Sequence, residues 1–319
     1  MTGNHIEVGL SLLLLTLGLC GVRYSRCRRQ APLPVWGWVG LGIILFAELF
    51  LFLQVKWVAV YFTPLVWTGY VLLTDGLVGT LRGHSRLGQA PREFLWLAFS
   101  SVPLWLIFEA YNLRLHNWAY VGLPDSQALR TLGYAWSFAT IWPAIYETAD
   151  LLQALGLGSR VAGWRLVLRP PGHASLVALG LVMVTVPVLV PPRAGGYLFG
   201  AIWLGFILLL DPINYRWGGR SLLRDLEQGQ TFALYPFLLS GPVCGILWEF
   251  WNNWASAKWL YVFPIWQQGK IFEMPLPGYL GFPPFALECF AMFEFLTTLR
   301  MRLLGLRKSA EMQPAGSRF

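Results

Sequence analysis

The chain has 319 residues, of which 56% are hydrophobic and only 13% charged, and its mean hydropathy is +0.52. Those values exclude a soluble globular class and point to a polytopic membrane protein. The net charge of +8 sits in short loops between apolar runs, so it calls for no nucleic acid partner.

In chain order, about nine runs approach the roughly 20 apolar residues that a bilayer crossing needs. They cover residues 6–22, 35–53, 57–79, 93–112, 136–156, 172–190, 194–211, 232–253 and 279–300. The first has no basic leader and no clear small-residue cleavage site, and reads as a retained anchor. Basic residues then alternate between loops. Arg23, Arg26, Arg28 and Arg29 follow the first run; Arg82, Arg86 and Arg92 the third; Arg160, Arg165 and Arg169 the fifth. Arg216, Arg220 and Arg224 follow the seventh, and Arg300, Arg302, Arg307, Lys308 and Arg318 the ninth. Positive loops stay cytoplasmic, which puts the N-terminus outside and the C-terminus inside. Cys20, Cys27, Cys244 and Cys289 form no CxxC pair, and His5, His84, His116 and His173 are scattered. No disulfide framework, metal site or cofactor is expected.

The stretch 105-WLIFEAYNLRLHNWAYVGLP-124 is nearly repeated by 245-GILWEFWNNWASAKWLYVFP-264. Glu109 and Asn112 align with Glu249 and Asn252, Trp118 and Tyr120 with Trp259 and Tyr261, and Pro124 with Pro264. The match extends upstream, where 67-WTGYVLLTD-75 aligns with 203-WLGFILLLD-211, and downstream, where 143-PAIYE-147 aligns with 284-PFALE-288. A match that extends both ways marks a tandem duplication. The expected architecture is an all-α polytopic membrane protein of about nine transmembrane helices, with two parallel four-helix repeats plus an N-terminal helix. Residues 1–30 form the anchor, 31–170 the first repeat, 171–305 the second, and 306–319 a disordered cytoplasmic tail.

Ionisable residues inside apolar spans are costly, which makes each one a functional candidate. Glu249 and Glu109 each carry an Asn three residues on, on the same helical face. Glu288 and Glu147 each follow a proline, Pro284 and Pro143, expected to loosen the backbone. Asp75 and Asp211 read as the ends of the third and seventh spans, and Glu48 and Glu294 as partnered structural residues. The Trp and Tyr residues also suit an interfacial aromatic belt, and buried acids also serve as structural hydrogen-bonding groups. Chemically, burial keeps a carboxyl protonated, and aromatic faces stabilise developing cations. Acids among Trp, Tyr and Phe therefore suit protonation of an olefin and carbocation rearrangement, with an isoprenoid as substrate.

Glu249, 259-WLY-261 and 274-MPLPGYLGFPPFALE-288, with Glu109, 118-WAY-120 and the segment 143–147, resemble the lycopene cyclase domain of the small membrane-bound, heterodimer-type carotenoid cyclases. The paired Glu that follows Pro-Leu in that family is absent here. The resemblance implies a redox-neutral integral membrane cyclase or isomerase acting on a polyprenoid or carotenoid-like lipid, in carotenoid biosynthesis. Glu249 and Glu109 would be its acids, Glu288 and Glu147 their acid/base partners, and Asn252, Asn112, Trp259, Tyr261, Trp118 and Tyr120 would contact the substrate. The same carboxylates fit a proton-coupled transporter, and the whole pattern fits a non-catalytic membrane protein. Single cysteines placed in 80–92 and in 254–278 are expected to label from opposite faces of the membrane, and labelling from one face would refute the topology.

Overall fold

The computed structural model describes residues 3–157, 165–167, 170–231 and 234–305. Arg160, Arg169 and the expected tail 306–319 lie outside them. The fold is all-α, with five short strands in two small sheets among the described residues. The helices are α1 (Ile6–Arg26), α2 (Val35–Phe52), α3 (Lys56–Val60), α4 (Phe62–Arg82), α5 (Arg86–Gln89), α6 (Pro91–Leu115), α7 (Gln127–Ala139) and α8 (Ile141–Ala154). They continue as α9 (Pro170–Leu189), α10 (Pro192–Tyr197), α11 (Phe199–Trp217), α12 (Leu222–Glu227), α13 (Leu234–Trp254) and α14 (Phe282–Leu303). Strands β1 (Gly3–Asn4), β4 (Gly269–Ile271) and β5 (Met274–Pro275) form one small sheet in the order β1-β4-β5. Strands β2 (Trp118–Val121) and β3 (Lys258–Tyr261) form an antiparallel pair.

Among the described residues, five stretches are long and apolar enough to cross a membrane: α1, α2, α6, most of α9, and Leu276–Leu303 with its core in α14. The outer helices expose large apolar side chains, such as Leu14 on α1, Phe52 on α2 and Leu189 on α9. In water such surfaces would aggregate; against acyl chains they cost nothing. The centre is formed where α4, α8, α11, α13 and α14 meet, and it buries Trp67, Trp142, Phe237 and Phe290. The N-terminal helix is part of this body. It packs on α13, its His5 N–H donates to Lys270 O at 2.8 Å, and Arg23 donates to Leu155 O at 2.8 Å.

Among the helix pairs that approach closely enough to require glycine are α2 with α4 and α9 with α11. A Cβ on Gly40 of α2 would lie 2.5 Å from Leu73 N and 2.6 Å from Gly69 O on α4. A Cβ on Gly180 of α9 would lie 2.4 Å from Leu209 N and 2.7 Å from Gly205 O on α11. In hydrocarbon no hydrophobic force pulls helices together, so close backbone packing supplies the attraction.

Three expectations about the helices are corrected. The fifth run does not form one helix: it breaks at Thr140 between α7 and α8. Ser101 of α6 holds the break, donating to Phe138 O and accepting from Trp142 N at 3.1 Å, which supplies partners that a broken helix in lipid would otherwise lack. Pro143 and Pro284 do not loosen helix interiors, because both fall in first turns, of α8 and α14, where an amide N–H has no intrahelical acceptor to lose. Asp75 and Asp211 do not end their helices, which run on to Arg82 and Trp217.

Gly40→Ala and Gly180→Ala are each expected to destabilise the protein by about 1–3 kcal/mol through overpacking. Gly42→Ala, whose Cβ would meet nothing within 4 Å, should change little. Thermal unfolding of the three variants in detergent checks this.

Candidate active site

The site is built from the two aligned helix ends and the strand pair that joins them. Helix α6 stops at Leu115 and the chain reverses through His116, at φ 54. The reversal is clamped by Asn112, whose Oδ1 accepts from Asn117 N at 2.8 Å and Trp118 N at 3.0 Å, and whose Nδ2 donates to Trp118 O at 2.9 Å. After α13, Asn252 does the same for Trp259, accepting from its N at 3.0 Å and donating to its O at 2.9 Å. Each side-chain amide thus satisfies backbone groups of the emerging strand. Both Asn residues, expected to bind substrate, are committed to backbone.

The strands so launched pair in the register Trp118 with Tyr261 and Tyr120 with Trp259. Residues two apart share a strand face, so all four rings project to one side. There Tyr120 donates its hydroxyl to Glu109 Oε1 at 2.6 Å, joined on the same oxygen by the indoles of Trp105 at 2.8 Å and Trp118 at 3.3 Å. Tyr261 donates to Glu249 Oε1 at 2.8 Å and receives the Trp259 indole at 2.8 Å. Burial first, and then the adjacent carboxylate, hold both phenols well above the ordinary tyrosine value, so each stays a hydroxyl donor.

The two acids are not equivalent. Glu249 is fully buried and its Oε2 has no hydrogen-bond partner among the described residues, whereas Glu109 is half-buried. The position aligned with Trp105 is Gly245, and the space is taken by the Phe282 ring. Glu249 therefore lacks the indole donor that Glu109 has.

Beneath the strands lies an apolar cavity of about 410 Å³. Trp118, Tyr120, Trp259 and Tyr261 all line it, with Trp67, Trp105, Phe108, Trp203, Trp248 and Phe285. The lining draws on both aligned segments. Glu109 and Glu249 stand behind their tyrosines and do not themselves line it. Neither do Glu147 and Glu288. Glu147 is fully buried near the far end of α4 from the cavity, where Oε1 accepts from Arg86 Nε at 3.2 Å. Arg86 also pairs with Asp150 at 2.6 Å. Glu288 is fully buried with neither oxygen partnered among the described residues. The position aligned with Arg86 is Leu222, which accounts for the difference. Arg220 reaches Glu294 instead, at 3.6 Å, and Glu48 accepts from the Trp251 indole at 2.8 Å.

Asp75 and Asp211 are structural in a way that spacing alone did not suggest. Asp75 accepts from Ser85 Oγ at 2.7 Å, Leu87 N at 2.9 Å and Trp36 Nε1 at 2.8 Å. Asp211 accepts from Ser221 Oγ at 2.9 Å and from Leu222 N and Leu223 N at 2.8 Å. Each ties down the short helix that follows, α5 or α12, capped in turn by that serine. Sequence reasoning missed the ring of Trp67, Trp203, Trp105 and Trp248 around the cavity. The alignment contained a signal, since Trp67 and Trp203 occupy matched positions, but spacing did not show that they converge.

Asn252→Ala is expected to leave Trp259 N and O unpartnered and to cost about 1–3 kcal/mol. Asn253→Ala, one residue away and outside the clamp, should stay within about 0.5 kcal/mol. Unfolding of both variants in detergent reads the difference. No protein-family model, curated protein or solved structure matches this chain, so the chemistry of the site follows from its own residues.

Proposed function

We propose that this chain is an integral membrane cyclase or isomerase that acts on an isoprenoid lipid by proton-initiated, redox-neutral rearrangement. The observation that carries the reading is the pair of hydroxyl–carboxyl couples, Tyr261 with the buried Glu249 and Tyr120 with the half-buried Glu109, backing the wall of an aromatic cavity. The cavity suits an apolar, unsaturated chain. In the forward step Tyr261 Oη–H gives its proton to an olefinic carbon while the protonated carboxyl of Glu249 returns one to the phenol oxygen. A C–H bond forms, the π pair is consumed, and the neighbouring carbon becomes cationic. Trp and Phe faces around it stabilise that charge. Attack by a second double bond closes a ring, or no ring forms. Loss of an adjacent proton to the same couple then restores a double bond, leaving an isomer of the substrate and an unchanged enzyme.

The reading includes the architecture that gives two such couples. About nine spans, with the N-terminus outside and the C-terminus cytoplasmic, would be arranged as two parallel four-helix repeats around an axis along the membrane normal. Supporting this, the β2–β3 register is unchanged when Trp118 and Tyr120 are exchanged for Trp259 and Tyr261. The glycine contacts of α2 with α4 and of α9 with α11 likewise match position for position. Glu249, fully buried and with one oxygen free, is the better acid of the two. Glu109 is held by three donors.

Mass spectrometry of lipids extracted with the protein from its native membranes tests the reading. Wild type is expected to carry two isoprenoids of equal mass, acyclic and rearranged. Glu249→Gln, which keeps shape but carries no acidic proton, should lose the rearranged species by at least about a hundredfold, the low end of what general acid catalysis supplies. Glu109→Gln should lose less. Unchanged isomer ratios in Glu249→Gln would rule out the acid assignment.

A further inference from the structure

The cavity lining contains two cations and, among the described residues, no carboxylate: Arg130 and Lys258. Lys258 is neutralised by Glu273 at 2.6 Å. Arg130 has no acidic partner within ion-pair distance among the described residues. Its Nε and Nη2 both donate to Pro124 O, at 3.2 and 3.0 Å. That contact fixes the guanidinium in place without cancelling its charge, and among the described residues Nη1 has no acceptor.

Helix α7 explains why this cation belongs to the cavity and not to the general surface. Arg130, Gly133, Tyr134, Ser137 and Phe138 all line the cavity, and this is the spacing of one helical face. The face is cationic at its start and aromatic at its end. At 1.5 Å per residue, Arg130 and Phe138 are about 12 Å apart along the helix. Residues 125–129 next to Arg130 are exposed, so the charged end is the mouth. Asp125 is on that exposed turn and makes no ion pair with Arg130. A fixed guanidinium at the mouth of an apolar slot matches an amphiphile with an anionic head and a hydrocarbon tail. Arginine's planar fork is well suited to phosphate oxygens.

We infer that the ligand of this cavity is an isoprenoid bearing a phosphate head, held by Arg130 at the mouth while its chain lies among the aromatic rings. This rests on the isoprenoid reading above and adds the head group to it. A neutral hydrocarbon would leave the guanidinium without a counterion beside a dehydrated wall.

The test is binding to the full-length protein in detergent, read by quenching of its tryptophan fluorescence. The probes are geranylgeranyl phosphate, geranylgeraniol and oleoyl phosphate. Wild type is expected to bind geranylgeranyl phosphate at least about tenfold more tightly than geranylgeraniol, the discrimination a charge-assisted hydrogen bond supports. The gap should narrow as salt is raised. Arg130→Gln should remove the gap while leaving geranylgeraniol affinity unchanged, which also shows that the variant is folded. Arg130→Met provides a second neutral variant of similar length. Equal binding of phosphate and alcohol by wild type overturns the inference, as does a preference that survives in both variants. Oleoyl phosphate binding as tightly as the isoprenoid phosphate would assign the site to membrane lipid head groups and overturn the substrate claim. Failure of all three probes to bind overturns it as well. If the phosphate preference stands but no isomer is ever formed, the cyclase reading falls alone; if isomers form and the preference is absent, the head group falls alone.

Discussion

The antiparallel contact between β2 and β3 is the constraint on which the rest of the site depends. Isolated from the helices, two four-residue strands would be marginal at best. They hold here because each is launched by an asparagine that fixes the first tryptophan of the strand, and because the rings project onto the helices below. The pairing joins two places far apart in sequence, Trp118 and Tyr261. It therefore sets the distance between α6 and α13, and with it the width of the cavity. A one-residue slip would turn all four rings to the other face and separate both tyrosines from their carboxylates.

Buried polar groups in this protein divide into those that are fully answered and those that are not. Asp75 and Asp211 belong to the first kind, each with three donors, and their role is to shape a loop. Glu147 has Arg86. Among the described residues Glu249 likewise has one partnered and one unpartnered oxygen, and Glu288 has neither partnered. An unanswered carboxylate inside apolar packing is costly as an anion, so retention of these groups needs a reason beyond fold stability. Glu249 is the one of them that accepts from a tyrosine at the cavity wall.

The aligned segments share a framework and differ in what fills it. Where Trp105 stands, the other segment has Gly245 and a phenylalanine ring; where Arg86 stands, it has Leu222. Each exchange removes a donor from an acid. The outcome is one carboxyl with three donors, Glu109, and one whose Oε1 receives the Tyr261 hydroxyl, Glu249, from closely similar local sequence. The first exchange distinguishes Glu249 from Glu109 beside the cavity, and the second distinguishes Glu288 from Glu147 away from it.

Legibility in the sequence followed the range of the interactions. Hydropathy identified an apolar, helical chain because a span's requirement for some 20 apolar residues is local, and the alignment found Glu109, Glu249 and their tryptophans and tyrosines because those lie within one short stretch. Proline positions were misread: whether Pro143 interrupts a helix or begins one depends on the break at Thr140, and that break exists only because Ser101, from another helix, satisfies it. The roles of Asn112 and Asn252 were likewise invisible, since an amide facing its own strand and an amide facing a ligand have the same spacing. What the sequence by itself determined was the apolar character, the matched motifs and the positions of carboxylates within apolar runs. Which acids meet the tyrosines, which meet arginine and which meet nothing was decided by tertiary structure, because each depends on partners brought together only when the two strands pair and the helices close around them.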